Sequence, residues 1–129
     1  MSEGMTMDVL LVDDSAVMRS IIARTLKMAG LPIGELYQAG NGQEGLDILA
    51  AHKVDVVLTD INMPEMNGME MLDNMRAKPE MKDVPVLMIS TEGSQTRISE
   101  ISDKGARFLQ KPFTPESLKE AVEGALGGE

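Results

Sequence analysis

The chain contains no cysteine, which rules out a disulfide framework and any thiolate centre. It contains no tryptophan, and its aromatics are one tyrosine and two phenylalanines, so the core must be aliphatic. No apolar run is long enough to span a bilayer, and residues 1–6 carry no basic region followed by an apolar one. A cytoplasmic location is therefore expected. Basic clusters are also missing. The net charge is −9 and the pI about 4.6, with Lys and Arg scattered, which disfavours direct binding to nucleic acid or to an anionic membrane surface. Histidine occurs once, at His52, with no acid or base partner nearby in sequence. It reads as a solvated helix-end residue. Nothing repeats, nothing reads as a linker, and no second domain is expected after Leu126.

What remains is 129 residues, 43% of them hydrophobic, enough for a single core in one domain. Methionine is abundant, with 12 residues, five of them between Met63 and Met75. A methionine surface can serve adaptable binding. Met69, Leu72 and Met75 share helical spacing, however, and that favours core packing.

The stretch Val56-Val57-Leu58-Thr59-Asp60-Ile61-Asn62-Met63-Pro64-Glu65-Met66-Asn67-Gly68 organises the rest. An unalternating apolar run predicts a strand covered on both faces, and it stops on an acid before a turn rich in Pro, Asn and Gly. Asp60 taken alone would be a turn-former or a helix cap. Two other strands end similarly, Leu10-Leu11-Val12 on Asp13-Asp14 and Phe108-Leu109-Gln110 on Lys111-Pro112. If the sheet is parallel, three carboxylates and one ammonium arrive at the edge where open α/β sheets place their ligands.

In chain order, strands are predicted over 7–12, 36–39, 54–59, 85–89 and 106–110. Asp13, Asp14 or Ser15 can cap the first helix, whose inward stripe is predicted as Val17, Ile21, Ile22, Thr25 and Met28, with Gly30 ending it. Asn41-Gly42-Gln43-Glu44 resembles a capping box and opens a second helix carrying Leu46, Leu49 and Ala50 inward. A third helix is predicted over 68–77. A fourth, near 95–104, has only Ile98 and Ile101 as large apolar residues. The last opens on Thr114-Pro115-Glu116 and turns Leu118, Val122, Ala125 and Leu126 inward. Five strands alternating with five helices imply right-handed crossovers.

These motifs, in this order over about residues 7–126, resemble the receiver domain of two-component response regulators, most closely the single-domain CheY type. The resemblance implies a flavodoxin-like, doubly wound five-stranded parallel sheet in the order 2-1-3-4-5 with five helices, the arrangement known for CheY itself. It places an N-terminal tail at 1–6, the receiver domain at 7–126 and a C-terminal tail at 127–129, with no effector domain. Asp60 is implied as the phosphorylation site, and Asp14, Asp60 and the backbone carbonyl of Asn62 as Mg²⁺ ligands, with Asp13 acting through water. Crowded carboxylates and hard oxygen donors suit Mg²⁺, with Mn²⁺ as a substitute. Lys111 pairs with Asp60 before reaction and with a phosphoryl oxygen afterwards, and Pro112 stands where the family has a cis peptide. Ser90 matches the switch hydroxyl and Phe108 the aromatic switch position, where the family often has Tyr; a plain core phenylalanine is the alternative. Asn62 and Glu92 hold positions that tune hydrolysis. Thr91, where the family favours Ala or Gly, implies slower turnover. Between Ser90 and Lys111 the chain is one residue shorter than CheY, within the usual output face.

The function implied is that of a signalling phospho-acceptor, not a metabolic enzyme, which assists its own phosphorylation and dephosphorylation. A CheA-like histidine kinase is the expected donor and a flagellar motor switch protein the expected target, with a phosphatase as a further partner and a monomeric state. A phosphorelay shuttle or a regulator of a separate effector enzyme is the alternative. A Mg²⁺-dependent aspartyl-phosphate phosphohydrolase is a rival from another class, but its Asp-x-Asp motif would need an acid at Asn62. A degenerate receiver that signals without phosphate fits poorly with Asp13, Asp14, Asp60, Ser90 and Lys111 all present.

Overall fold

Every apolar run predicted as a strand pairs in parallel with its neighbours, and a helix returns the chain between each two. The computed structural model describes residues 6–127. Of the two expected tails, residues 1–5 and 128–129 lie outside the described residues. The elements are β1 (Met7–Val12), α1 (Ala16–Met28), β2 (Ile33–Ala39), α2 (Gly42–Ala51), β3 (Val56–Thr59), α3 (Gly68–Arg76), β4 (Val86–Ser90), α4 (Gln95–Asp103), β5 (Arg107–Gln110) and α5 (Pro115–Gly127). The strand order is β2-β1-β3-β4-β5, as expected.

The absence of alternation in the central strands has its cause here. β3 and β4 are buried at every position, because both faces of the sheet are covered. Leu10, Val12, Val57, Val86 and Met88 pack beneath α2, α3 and α4. Val9, Leu11, Val56, Leu58, Leu87 and Ile89 pack beneath α1 and α5. Full burial of each such side chain stabilises the fold by about 1.5–3 kcal/mol. Met69, Met71, Leu72 and Met75 are all buried on α3, so its methionines are core.

Three inward stripes need correction. On α1, Val17 is 71% exposed, Ile21 41% and Met28 67%, while Ile22 and Leu26 are buried. The helix seats itself on Met18, Ile22, Leu26 and Ala29, and Val17, Ile21 and Met28 lie roughly a third of a turn away. Two stripes of equal spacing competed, and the one facing the sheet won. On α2, Ala50 is exposed, and Gly45 with half-buried Ile48 joins Leu46 and Leu49 at the interface. On α5, Leu126 is 37% exposed beyond the buried line Leu118, Val122, Ala125. Two strand limits also shift by more than one residue. β2 starts three residues early at Ile33, whose Cα pairs with Met7, and β3 starts at Val56, leaving Val54 buried in a loop.

Candidate functional site

The carboxyl ends of β1, β3, β4 and β5 converge. Val12 pairs with Thr59 and the Asp60 N–H donates to the Val12 carbonyl at 2.9 Å, so Asp13 and Asp60 leave adjacent strands side by side. The Lys111 N–H donates to the Ser90 carbonyl at 2.9 Å, bringing the lysine alongside the end of β4. The Lys111–Pro112 peptide bond is cis.

One carboxylate oxygen from each of Asp13, Asp14 and Asp60 lies within 4.8 Å of the others. Asp13 is buried, Asp60 half-buried and Asp14 exposed. Asp13 Oδ1 accepts from the Ser15 N–H at 2.9 Å, and Asp60 Oδ1 from the Ile61 N–H at 2.7 Å. Lys111 Nζ stands 3.5 Å from Asp13 Oδ2 and 3.7 Å from Asp60 Oδ2. Asp13 Oδ2 is buried and accepts no hydrogen bond from any described residue. A buried anionic oxygen in that position, in an all-oxygen donor set with three negative charges against one ammonium, suits a hard divalent cation such as Mg²⁺.

Burial pushes the Asp60 carboxyl above the usual carboxylate range. The Ile61 N–H and Lys111 oppose that shift, and Asp13 and Asp14 add to it. Because the folded-state pKa is raised, ionised Asp60 destabilises the metal-free protein, and stability is lost as pH rises from about 3.9 through the folded value. Asp60→Asn is therefore expected to stabilise the metal-free chain at neutral pH by on the order of 1 kcal/mol, with no gain below the unfolded pKa. Urea unfolding in chelator at neutral and acidic pH measures it. A gain that persists unchanged in acid would show that the charge is not the cause.

The remaining predicted residues line the rim. Ser90 is fully buried, and its Oγ accepts from the Glu92 N–H at 3.1 Å. Asn62 and Thr91 are exposed on the β3–α3 and β4–α4 loops. Thr91 also borders an apolar hollow of about 390 Å³, shared with Lys111, Pro112, Phe113 and Ile21. Glu92 reaches away to α4, where its Oε2 is 3.3 Å from Arg97 Nε. Phe108 does not join the carboxylates. It is half-buried in the wall of a groove of about 570 Å³ with Ile98 and Ile101. Its Cα partner on β4 is Met88, two residues before Ser90, so Phe108 and Ser90 lie on the same face of the sheet.

The loop after Asp60 is pinned rather than loose. The Met66 N–H donates to the Pro64 carbonyl at 2.7 Å across Glu65, whose φ of 66° is that of a tight γ-turn. The Gly42 N–H of α2 donates to the Met66 carbonyl at 2.9 Å. Asn67 and Glu70 then form a reciprocal capping box that starts α3.

Two arginines that the sequence did not point to hold the site's frame. Arg19 Nη1 donates to the Asp13 carbonyl at 2.6 Å and its Nε to Gln38 Oε1 at 3.0 Å, tying α1 and β2 to the acidic turn. Arg97 holds Glu92. Neither sits in a motif, and only the packing of α1 and α4 decides where these side chains point. His52 is exposed at the end of α2, but it stacks on Tyr37, ring centroids 4.5 Å apart. That contact crosses from helix to strand and leaves no trace in sequence.

The family model described as the response regulator receiver domain matches residues 9–123. The chain is 41% identical over 123 residues to the chemotaxis protein CheY homolog of Campylobacter jejuni, covering 94% of this chain and 93% of that one. It is 40% identical to chemotaxis protein CheY1 of Helicobacter pylori, covering 94% and 98%. Among solved structures it is similar to chemotaxis protein CheY4 of Vibrio cholerae, with a TM-score of 0.83, 36% identity, and coverage of 95% and 100%. Among the described residues, no helix is long and apolar enough to cross a membrane.

Proposed function

This chain belongs to the response regulator receiver family, and we propose that it acts in chemotaxis, taking a phosphoryl group from a histidine kinase onto Asp60 and thereby changing its affinity for a protein target. The observation that carries the chemistry is Asp60 at the end of β3, with Lys111 Nζ at 3.7 Å and two further carboxylates beside it. The names of the similar proteins support the pathway.

An Asp60 carboxylate oxygen attacks phosphorus, the P–N bond to the donor imidazole breaks, and the imidazole nitrogen keeps the electron pair. Asp14, Asp60 and the Asn62 carbonyl would hold Mg²⁺, or Mn²⁺ in its place, with Asp13 acting through water. The bound cation supplies positive charge against the phosphoryl oxygens. Lys111, paired to Asp13 and Asp60 beforehand, turns to a phosphoryl oxygen once Asp60 is phosphorylated. Among the described residues Ser90 Oγ accepts the Glu92 N–H and donates to no partner, so its proton is available for another phosphoryl oxygen. Such a charge-assisted bond contributes about 1.5–3 kcal/mol, enough to shift a two-state loop by one to two decades in population. Closing the Ser90 loop draws Phe108 inward and reshapes the groove between α4, β5 and α5, the face offered to a partner. Asn62, Thr91 and Glu92, on the loops around the crevice, tune how fast water removes the phosphoryl group.

The test is a titration with the N-terminal peptide of a flagellar motor switch protein from the same source organism. With beryllofluoride and Mg²⁺ the peptide is expected to bind about ten- to a hundredfold more tightly than with Mg²⁺ alone, and Asp60→Asn is expected to abolish the gain. If beryllofluoride occupies Asp60 and the affinity does not change, the phospho-acceptor stands and the motor target gives way to a relay or a separate effector.

A further inference from the structure

Glu92 is fixed at both ends. Its N–H donates to Ser90 Oγ at 3.1 Å, and its carboxylate is held by Arg97 Nε at 3.3 Å. Arg97 lies in the first turn of α4, its N–H capped by Ser94 Oγ, and its Nη1 also meets Glu100 Oε1 at 3.2 Å. Both partners are partly sheltered, with side-chain exposures of 28% for Arg97 and 37% for Glu92. The loop that carries Glu92 borders a crevice already holding three carboxylates against one ammonium.

We propose that Arg97 is a positioning residue for phosphoryl entry: by holding the Glu92 carboxylate on α4 it keeps a fourth negative charge from swinging over the mouth of the acidic crevice. This rests on Asp60 being the phospho-acceptor. A phosphoryl donor arrives as an anion, and a free carboxylate on the rim repels it within the Debye length of about 8 Å at physiological salt. Pairing with a guanidinium offsets part of that charge and holds it on α4, away from the mouth of the crevice. Because the tether runs to α4, it also makes the chemistry of the crevice depend on where α4 sits.

The reaction that reads this is phosphorylation by acetyl phosphate. An Asp60 oxygen bonds to phosphorus, the bond between phosphorus and the acyl oxygen breaks, and acetate leaves with the electron pair, with no net proton transfer. Incorporation of radiolabelled phosphoryl group from acetyl phosphate with Mg²⁺ is followed for the full chain, with Asp60→Asn as the blank. Arg97→Ala is expected to slow incorporation about three- to tenfold at low salt, through the donor concentration needed rather than the limiting rate, and the deficit should shrink as salt rises. Arg97→Lys should retain most of the rate, and adding Glu92→Gln to Arg97→Ala should restore it. An Arg97→Ala deficit that is the same in the Glu92→Gln background, or that is indifferent to salt, overturns the proposal. So does an unchanged rate. If instead the unsubstituted chain incorporates no more than Asp60→Asn, it is the phospho-acceptor assignment that fails.

Discussion

Gly68→Ala is expected to destabilise the protein by about 3 kcal/mol and to distort the candidate site at the same time. A Cβ at this position would lie 2.3 Å from the Asp60 carbonyl oxygen and 3.1 Å from Ile61 Cα. Both obstacles are backbone, so no side chain can swing aside. The Gly68 N–H also donates to the Ile61 carbonyl at 2.8 Å, which seats the first turn of α3 directly against the chain leaving β3. Making room for one methyl group means moving α3 or moving Asp60. Gly30→Ala is the informative control. Gly30 has φ of +78° and nothing within 4 Å of the place a methyl group would take, so its cost is conformational only, about 1 kcal/mol. Urea unfolding followed by far-ultraviolet circular dichroism compares the two. Equal losses would show that the approach of α3 to Asp60 is not limiting.

Arg76→Ala is expected to cost about 2–4 kcal/mol. The guanidinium of Arg76, at the end of α3, donates to four backbone carbonyls. Nη1 reaches Lys82 at 2.9 Å and Val84 at 3.0 Å, Nε reaches Lys104 at 3.0 Å, and Nη2 reaches Gly105 at 3.2 Å. One side chain thus joins the α3–β4 loop to the turn between α4 and β5. Burial draws its pKa down, opposed by Asp83, yet an arginine stays charged across the accessible pH range. Truncation removes every one of these donors together. Arg76→Lys should recover less than half of the loss, because an ammonium is a point charge and cannot match carbonyls arranged around a planar fork. Hydrogen exchange should show the weakening first at residues 82–84 and 104–106. A loss below 1 kcal/mol would mean that water replaces the arginine without penalty.

The neighbouring Asp73–Lys104 ion pair is more exposed, and it belongs to the class worth well under 1 kcal/mol. Both interactions join α3 to the α4–β5 turn, but only Arg76 donates to backbone carbonyls, and its bonds to Val84 and Lys104 are partly buried.

The chain's own sequence determined the layers and the reactive end of the sheet. Unbroken apolar runs at 9–12, 56–58 and 86–89 require a sheet buried on both faces, and Asp13, Asp14, Asp60 and Lys111 stand just where those runs or their neighbour stop. Caps at Asn41 and Thr114 were legible for the same local reason, since each bonds to an N–H group three residues away, whereas at α1 Asp13, Asp14 and Ser15 were all open and the structure selects Ser15. The tertiary structure alone decided which of two equally spaced stripes on α1 faces the sheet, leaving Val17, Ile21 and Met28 outside. It also decided that Arg19, Arg76 and Arg97 reach backbone and carboxylate partners rather than water. Helical periodicity records that a face is apolar but not its exact rotation, and a long charged side chain records nothing of its target. Both are settled only when a second element, distant in sequence, arrives to be packed against.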